Sequence, residues 1–191
     1  IHRSIALVAM VAGVYLVGCS SDVPDTGETS VATISTKAVQ WPAHSTSFGR
    51  AKDMQGESAP GFVVDSWVAN EVVVDNKVRV VEFWATWCPP CRRSIPHLNE
   101  MAKEFGDSVA FVGVSAEAPE KIRTFMKKTP MNYGVACDPQ KRMQKAVNCS
   151  AIPLALVISS DGVVRWQGNP IRLKSEDIAA VVKADASRRR N

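Results

Sequence analysis

The stretch Lys77–Pro96, KVRVVEFWATWCPPCRRSIP, decides how the rest of the chain is read. Val78, Val80, Val81, Phe83 and Trp84 are β-branched or aromatic and suit a buried strand, with the single acid Glu82 inside the run. Ala85-Thr86-Trp87 leads into Cys88-Pro89-Pro90-Cys91, after which the chain can be helical. Strand, tight turn and helix with Cys-x-x-Cys at the junction is the setting of a candidate redox-active dithiol.

Outward from this stretch the elements alternate. On the C-terminal side, Arg92–Phe105 reads as a helix interrupted by Pro96, and Val109–Ser115 (VAFVGVS) is a continuous apolar run suited to a buried parallel strand. Pro119–Lys128 is amphipathic, with Ile122, Phe125 and Met126 on one face. Asn132–Cys137 reads as a short strand and Pro139–Val147 as a helix with proline at its start. Ala155–Ser159 and Val163–Gln167 pair around an Asp161-Gly162 turn. Ser175 opens the last helix, with Glu176 and Asp177 in its first turn. On the N-terminal side, Phe62–Ala69 and Glu71–Val74 form a leading strand pair before the Asp75-Asn76 turn. A chain of 191 residues with 46% hydrophobic content can bury one good core. The order predicts one α/β domain over residues 59–186: a central mixed β-sheet flanked by helices, with the extra N-terminal strand pair.

The N-terminus has a different character. Arg3 precedes an apolar run from Ile5 to Val17, closed by Gly18-Cys19 and then polar Ser20-Ser21-Asp22. Such a run is short for the ~30 Å of a bilayer's hydrocarbon and fits a signal-peptide core. Gly18 before Cys19 is similar to a bacterial lipobox, which implies a signal peptide over residues 1–18, cleavage before Cys19 and lipid on its sulfur. An uncleaved membrane anchor is the other reading; either way the remainder is exported. Residues 19–58, rich in Ser, Thr, Ala and Asp, read as a flexible tether of ~35 Å mean span, although Trp41 and Phe48 could dock on the domain. The net charge of +4 is modest, and its densest cluster, Arg188-Arg189-Arg190, reads as a solvated basic tail over residues 187–191. No basic stripe or aromatic platform accompanies it, which argues against a nucleic-acid partner.

The chain resembles the membrane-tethered TlpA/ResA-type branch of the thioredoxin-like thiol-disulfide oxidoreductases. The resemblance is carried by Phe83-Trp84-Ala85-Thr86-Trp87-Cys88-Pro89-Pro90-Cys91, Pro96, Val112-Gly113-Val114-Ser115, Ile152-Pro153, Asp161-Gly162 and Trp166-Gln167-Gly168-Asn169-Pro170. It spans about Ala59 to Val182 and implies a thioredoxin fold. It also implies that Cys88 is the attacking thiol and Cys91 the resolving one, acting on a disulfide-bearing protein substrate. An upstream membrane or exported thiol would supply electrons, with no cofactor beyond the Cys88-Cys91 disulfide. Physical reasoning agrees on the order: Cys88 opens a helix, where unpaired N–H groups favour a thiolate, while Cys91 lies one turn inward and is shielded.

Three further positions carry expectations. Amides at the second and third helical positions normally bond the capping side chain, but with Pro89 and Pro90 in the first two positions the Cys91 N–H is the only nearby donor. A less stabilised thiolate points to a reductant, nearer ~−270 mV than ~−120 mV on the scale of known dithiol proteins. Glu82, six residues before Cys88, stands where thioredoxins carry a buried acid. Desolvation would raise its pKa and fit it to take the Cys91 proton. The resemblance places a cis proline at Pro153, facing the dithiol, with the Ile152 backbone pairing an incoming peptide; Leu154 would make that groove more apolar. Trp87, Pro89 and Pro90 are the remaining candidates for substrate contact.

Cys137 and Cys149 bracket the Pro139–Val147 segment and read either as two buried thiols or as a structural disulfide. A rival function is a metal-binding module using these with Cys88 and Cys91, but there is no second Cys-x-x-Cys, and His97 is the only histidine of the domain. Another is a tethered interaction domain without turnover, against which the intact cysteine pair argues. A peroxidase of the related peroxiredoxin kind fits less well with a dithiol turn.

Overall fold

The computed structural model describes residues 39–43 and 51–190. The expected signal peptide, the lipidation site Cys19 and most of the tether lie outside the described residues. Six strands form one sheet: β1 (Ser66–Ala69), β2 (Val78–Trp84), β3 (Val109–Ser115), β4 (Gly134–Cys137), β5 (Leu154–Ile158) and β6 (Val164–Gly168). Their spatial order is β1-β4-β3-β2-β5-β6. β2, β3 and β4 run parallel, while β1, β5 and β6 join antiparallel. The helices are α1 (Pro89–Phe105), α2 (Pro119–Met126), α3 (Arg142–Ala146) and α4 (Ser175–Arg190). This mixed, helix-flanked sheet is the thioredoxin fold.

β2 lies inside the sheet between β3 and β5, and a hydrophobic cluster covers each of its faces. Side chains alternate across it. Val78, Val80 and Trp84 join Ile95 and Leu98 of α1 and Ile178 and Val181 of α4 in one cluster; Val81 and Phe83 join Met143 and Val147 in the other. Glu82 shares the phase of Val80 and Trp84 and therefore points at α1. The sheet thus drives an acid into the apolar face that also supports the start of α1.

Several elements differ from expectation. Of the leading strand pair only β1 forms. Asn70 takes a left-handed φ of 47° and ends it, its side chain donating to the carbonyls of Met131 and Tyr133, and residues 71–74 continue as irregular chain. α1 begins at Pro89 and continues past Pro96 without interruption. α3 starts only at Arg142, because Lys141 holds a left-handed φ of 56°.

The domain also begins before residue 59. Lys52 N donates to Val147 O, Gly56 N donates to Val164 O, Met54 N donates to Gln167 Oε1, and Ser58 bridges Val163. Met54 is buried, so residues 51–58 are part of the packed body rather than tether. Trp41 lies against the Arg165 guanidinium, 3.4 Å from its ring centroid. The basic tail expected from residue 187 is instead the last turn of α4, where Arg188 and Arg189 pair with Asp185, and Arg188 also reaches Asp161.

Candidate active site

The site forms where β2 ends and α1 begins. Cys88 is the N-cap of α1, extended at φ −91° and ψ 102°, and its sulfur accepts the Cys91 N–H at 3.3 Å. Pro89 and Pro90 occupy the first two helical positions, where a fixed φ suits the helix and the missing N–H groups cost no intrahelical bond. Cys88 and Cys91 are joined as a disulfide. Cys91 is fully buried, and Cys88 is only 2% exposed. Cys88, expected as the attacking thiol, is thus nearly covered in the oxidised state, while Trp87 beside it is 65% exposed.

Across from the disulfide, the Ile152-Pro153 peptide bond is cis, and the Ile152 carbonyl oxygen lies 3.8 Å from Cys88 Sγ. As a disulfide sulfur Cys88 has no proton to donate, so this is a close approach of an electron-rich oxygen rather than a hydrogen bond. Leu154 does not line the groove as expected; it is buried in the second core cluster, because its side chain alternates to the far face of the sheet.

Behind Cys91 lies a buried polar cluster. Glu82 is 1% exposed, and burial raises its pKa from 4.5 to about 8, against the opposing effects of bonds from Ser94 and Tyr133. The Tyr133 hydroxyl donates to Glu82 Oε2 at 3.2 Å. Ser94 Oγ lies 2.9 Å from Glu82 Oε1 and 2.8 Å from the Cys91 carbonyl oxygen. Its single proton serves one acceptor at a time, and a protonated Glu82 supplies the second bond. Tyr133 is itself pushed well above its ordinary pKa by burial and by the neighbouring carboxyl, so it remains a neutral donor.

A second acid secures the approach to the disulfide. Glu117 accepts from Thr86 N at 2.6 Å and from Thr86 Oγ1 at 2.9 Å, and pairs with Lys121 at 2.6 Å. Partial burial pushes its pKa up, but the Lys121 and Thr86 bonds outweigh that and hold it below the ordinary value. This carboxylate fixes the backbone two residues before Cys88. Neither Glu117 nor the pair Ser94 and Tyr133 emerged from sequence reasoning. Ser94, three positions after Cys91 on a helix, carried a local signal; Tyr133 and Glu117 reach the site only through the sheet register.

The bridge considered for Cys137 and Cys149 is not formed, and both thiols are free. Cys137 is buried at the end of β4 against the Ser66 hydroxyl at 3.2 Å, whereas Cys149 is half-buried and donates to the Ala151 carbonyl. Burial raises the Cys149 thiol pKa. Among the described residues no group of three or more His, Cys, Asp or Glu is placed to hold a metal ion.

A disulfide capping a helix, set against a cis X-Pro bond on this sheet, is the arrangement of a thioredoxin-like thiol-disulfide oxidoreductase, and the relatives it resembles place it in the TlpA/ResA type. The chain belongs to the AhpC/TSA family, whose profile matches residues 55–167. Among similar proteins, the thiol-disulfide oxidoreductase ResA of Bacillus subtilis (strain 168) is 27% identical over 121 residues, 61% of this chain and 68% of that one. The thioredoxin-like protein YneN of the same organism is 29% identical over 118 residues, 58% of this chain and 69% of that one. Of solved structures, a putative thiol:disulfide interchange protein DsbE from Chlorobium tepidum aligns with a TM-score of 0.59 at 25% identity, covering 68% of this chain and 99% of that one. A thioredoxin family thiol:disulfide interchange protein from Chlorobium tepidum TLS gives 0.53 at 27% identity, covering 69% and 97%.

Proposed function

We propose that this protein is an extracytoplasmic reductant of protein disulfides, held at a bacterial membrane by lipid on Cys19. In the forward half-reaction the Cys88 thiolate attacks one sulfur of a substrate disulfide, expelling the other as a thiolate and forming a mixed disulfide. Cys91 passes its proton to Glu82 and attacks Cys88 Sγ, releasing the second substrate thiolate and closing the Cys88-Cys91 disulfide. Two electrons have then moved to the substrate. An upstream thiol reverses these steps: it attacks Cys88, Cys91 leaves as a thiolate, and Glu82, mostly protonated at neutral pH with its pKa of about 8, returns the proton.

The observation that carries the reducing direction is the cap itself: with prolines at the first two helical positions, the Cys91 N–H is the amide that meets Cys88 Sγ. The Ile152 carbonyl oxygen at 3.8 Å would further disfavour a thiolate there. A less stabilised thiolate means a less stabilised reduced form and a lower potential. Equilibration with glutathione tests this, and a potential above the glutathione couple would reverse the proposed direction.

Trp87, Ile152, Pro89 and Pro90 form the surface a substrate meets, and Pro153 shapes the backbone that pairs with it. A Cys91→Ser variant would hold its partner covalently on Cys88 and so identify it. Export and anchoring rest on the Ile5–Cys19 stretch; among the described residues no helix is long and apolar enough to cross a membrane. Cys19→Ser expressed with its leader should lose fatty-acid labelling and membrane association, and unchanged fractionation would remove the lipid from the proposal.

A further inference from the structure

We propose that the open pocket beside the Cys88-Cys91 disulfide selects substrate segments that carry acidic residues next to the reacting cysteine, a specificity that rests on the oxidoreductase reading above. The pocket has a volume of about 520 Å³. One side is apolar and belongs to the redox site: exposed Trp87, and Ile152, whose carbonyl oxygen approaches Cys88 Sγ. A peptide whose cysteine sits on Cys88 therefore runs its neighbouring residues into this space. The facing side carries Lys141 and Lys145, which are both exposed. They stand four residues apart, Lys141 at the left-handed entry to α3 and Lys145 in its last turn.

The charge balance in the pocket is one-sided. The acid of its lining is Glu117, and that carboxylate is already taken by both Thr86 donors and by Lys121. No carboxylate among the described residues forms an ion pair with Lys141 or Lys145. The pocket thus presents two uncompensated ammonium groups over an apolar floor. Aspartate or glutamate flanking a substrate cysteine would meet them favourably, and lysine or arginine there would be repelled.

Two peptides test this, each closed by one intramolecular disulfide and identical except for Asp and Glu or Lys and Arg beside the cysteines. The full chain, reduced beforehand, is mixed with each, and the rate of protein oxidation is followed. The acidic peptide should react about threefold to tenfold faster at low salt, as expected of two exposed ion pairs. That advantage should shrink as salt is raised. Lys141→Glu/Lys145→Glu should invert the preference. Lys103→Glu/Lys183→Glu, the same change of net charge on α1 and α4, should leave it intact. Independently, an acidic peptide with serine for cysteine should slow alkylation of Cys149, which lines the same pocket, in the oxidised protein. Equal rates for the two peptides, or a preference that survives Lys141→Glu/Lys145→Glu, overturns the acidic selectivity while leaving the oxidoreductase reading standing. If the reduced chain oxidises with neither peptide, the oxidoreductase reading falls and this selectivity with it.

Discussion

The Tyr133 hydroxyl donates to Glu82 Oε2 at 3.2 Å where neither residue is more than 4% exposed. A carboxyl placed there is governed first by loss of water, and two donors recover only part of what hydration supplied. Its pKa therefore stands near 8 rather than 4.5, and the sign of the consequence follows from proton counting. Below pH 4.5 both folded and unfolded chains hold this proton, and the full contribution to stability is present. Between 4.5 and about 8 only the folded chain holds it, so stability falls as pH rises, by roughly 5 kcal/mol in all at 1.36 kcal/mol per unit. Glu82→Gln removes the titration. Urea unfolding at pH 5 and pH 8.5 should show a steep loss for the wild type, a flatter response for the variant, and a variant more stable than wild type at the higher pH. A wild type equally stable at both would mean that Glu82 is charged within the fold.

Removing the phenol oxygen should move the same titration further. Tyr133→Phe leaves a carboxylate with one donor fewer, and a hydrogen bond to a charged group is worth about 1.5–3 kcal/mol. The Glu82 midpoint should rise by about one to two pH units. If Glu82 accepts the Cys91 proton, the pH at which mixed-disulfide release reaches half its maximal rate should move upward with it, whereas the initial attack by Cys88 should keep its profile. Ser94→Ala should act in the same direction, and Ser94→Thr should restore the wild-type midpoint. An unmoved midpoint in both Tyr133→Phe and Ser94→Ala would leave these side chains as packing alone.

What could be read from the chain beforehand was what is local. The β-branched run of β2, the helix entry at Cys88 and the burial of Glu82 all follow from neighbours within a few residues. Tyr133 is 51 residues from Glu82, and Glu117 is 31 from Thr86; both meet their partners through the parallel pairing of β2, β3 and β4, which no local pattern encodes. Val72 and Val74 misled in the opposite way. Their composition favours a strand, yet they pack against the second core cluster from irregular chain after Asn70 has turned the backbone. The arginines of α4 carried a readable cue, Asp185 four positions before Arg189, but Ser160, which Arg188 Nη2 and Arg189 Nε both contact, lies far away in sequence.

Gly113 is required by an indole. It lies opposite Glu82 in the β2–β3 register, and a Cβ there would stand 2.9 Å from Trp84 Nε1, 3.2 Å from Trp84 Cδ1 and 3.3 Å from Met131 Cε. Trp84 is fully buried and cannot swing aside without disturbing the end of β2 that delivers Cys88. Gly113→Ala should cost about 1–3 kcal/mol, the usual range for overpacking, measured by chemical denaturation. Because the displaced indole sits two residues before Thr86, which Glu117 holds, the variant should also reduce disulfides more slowly under conditions where it remains folded. An undiminished stability would place more free space beside Gly113 than these distances allow.

Restoring one amide at the cap tests the electrostatics of the dithiol most directly. Pro90 is at the second helical position, where an ordinary residue turns its N–H toward the capping atom. Pro90→Ala keeps the helix, since alanine is its best former, and adds a donor aimed at Cys88 Sγ. In the reduced protein that donor favours the thiolate, so the Cys88 pKa should fall. The reduced form is stabilised relative to the disulfide, and the potential should rise. One bond to a charged sulfur, at about 1.5–3 kcal/mol, corresponds to about 30–60 mV for a two-electron couple. Pro89→Ala supplies an N–H at the first position, which points less toward the capping sulfur, and should change the potential less. Thiolate absorbance during a pH titration and equilibration with glutathione read the two quantities separately. A lower Cys88 pKa with an unchanged potential would show that the disulfide form gains as much from the new amide as the thiolate does, and the link between the proline pair and reducing power would be broken.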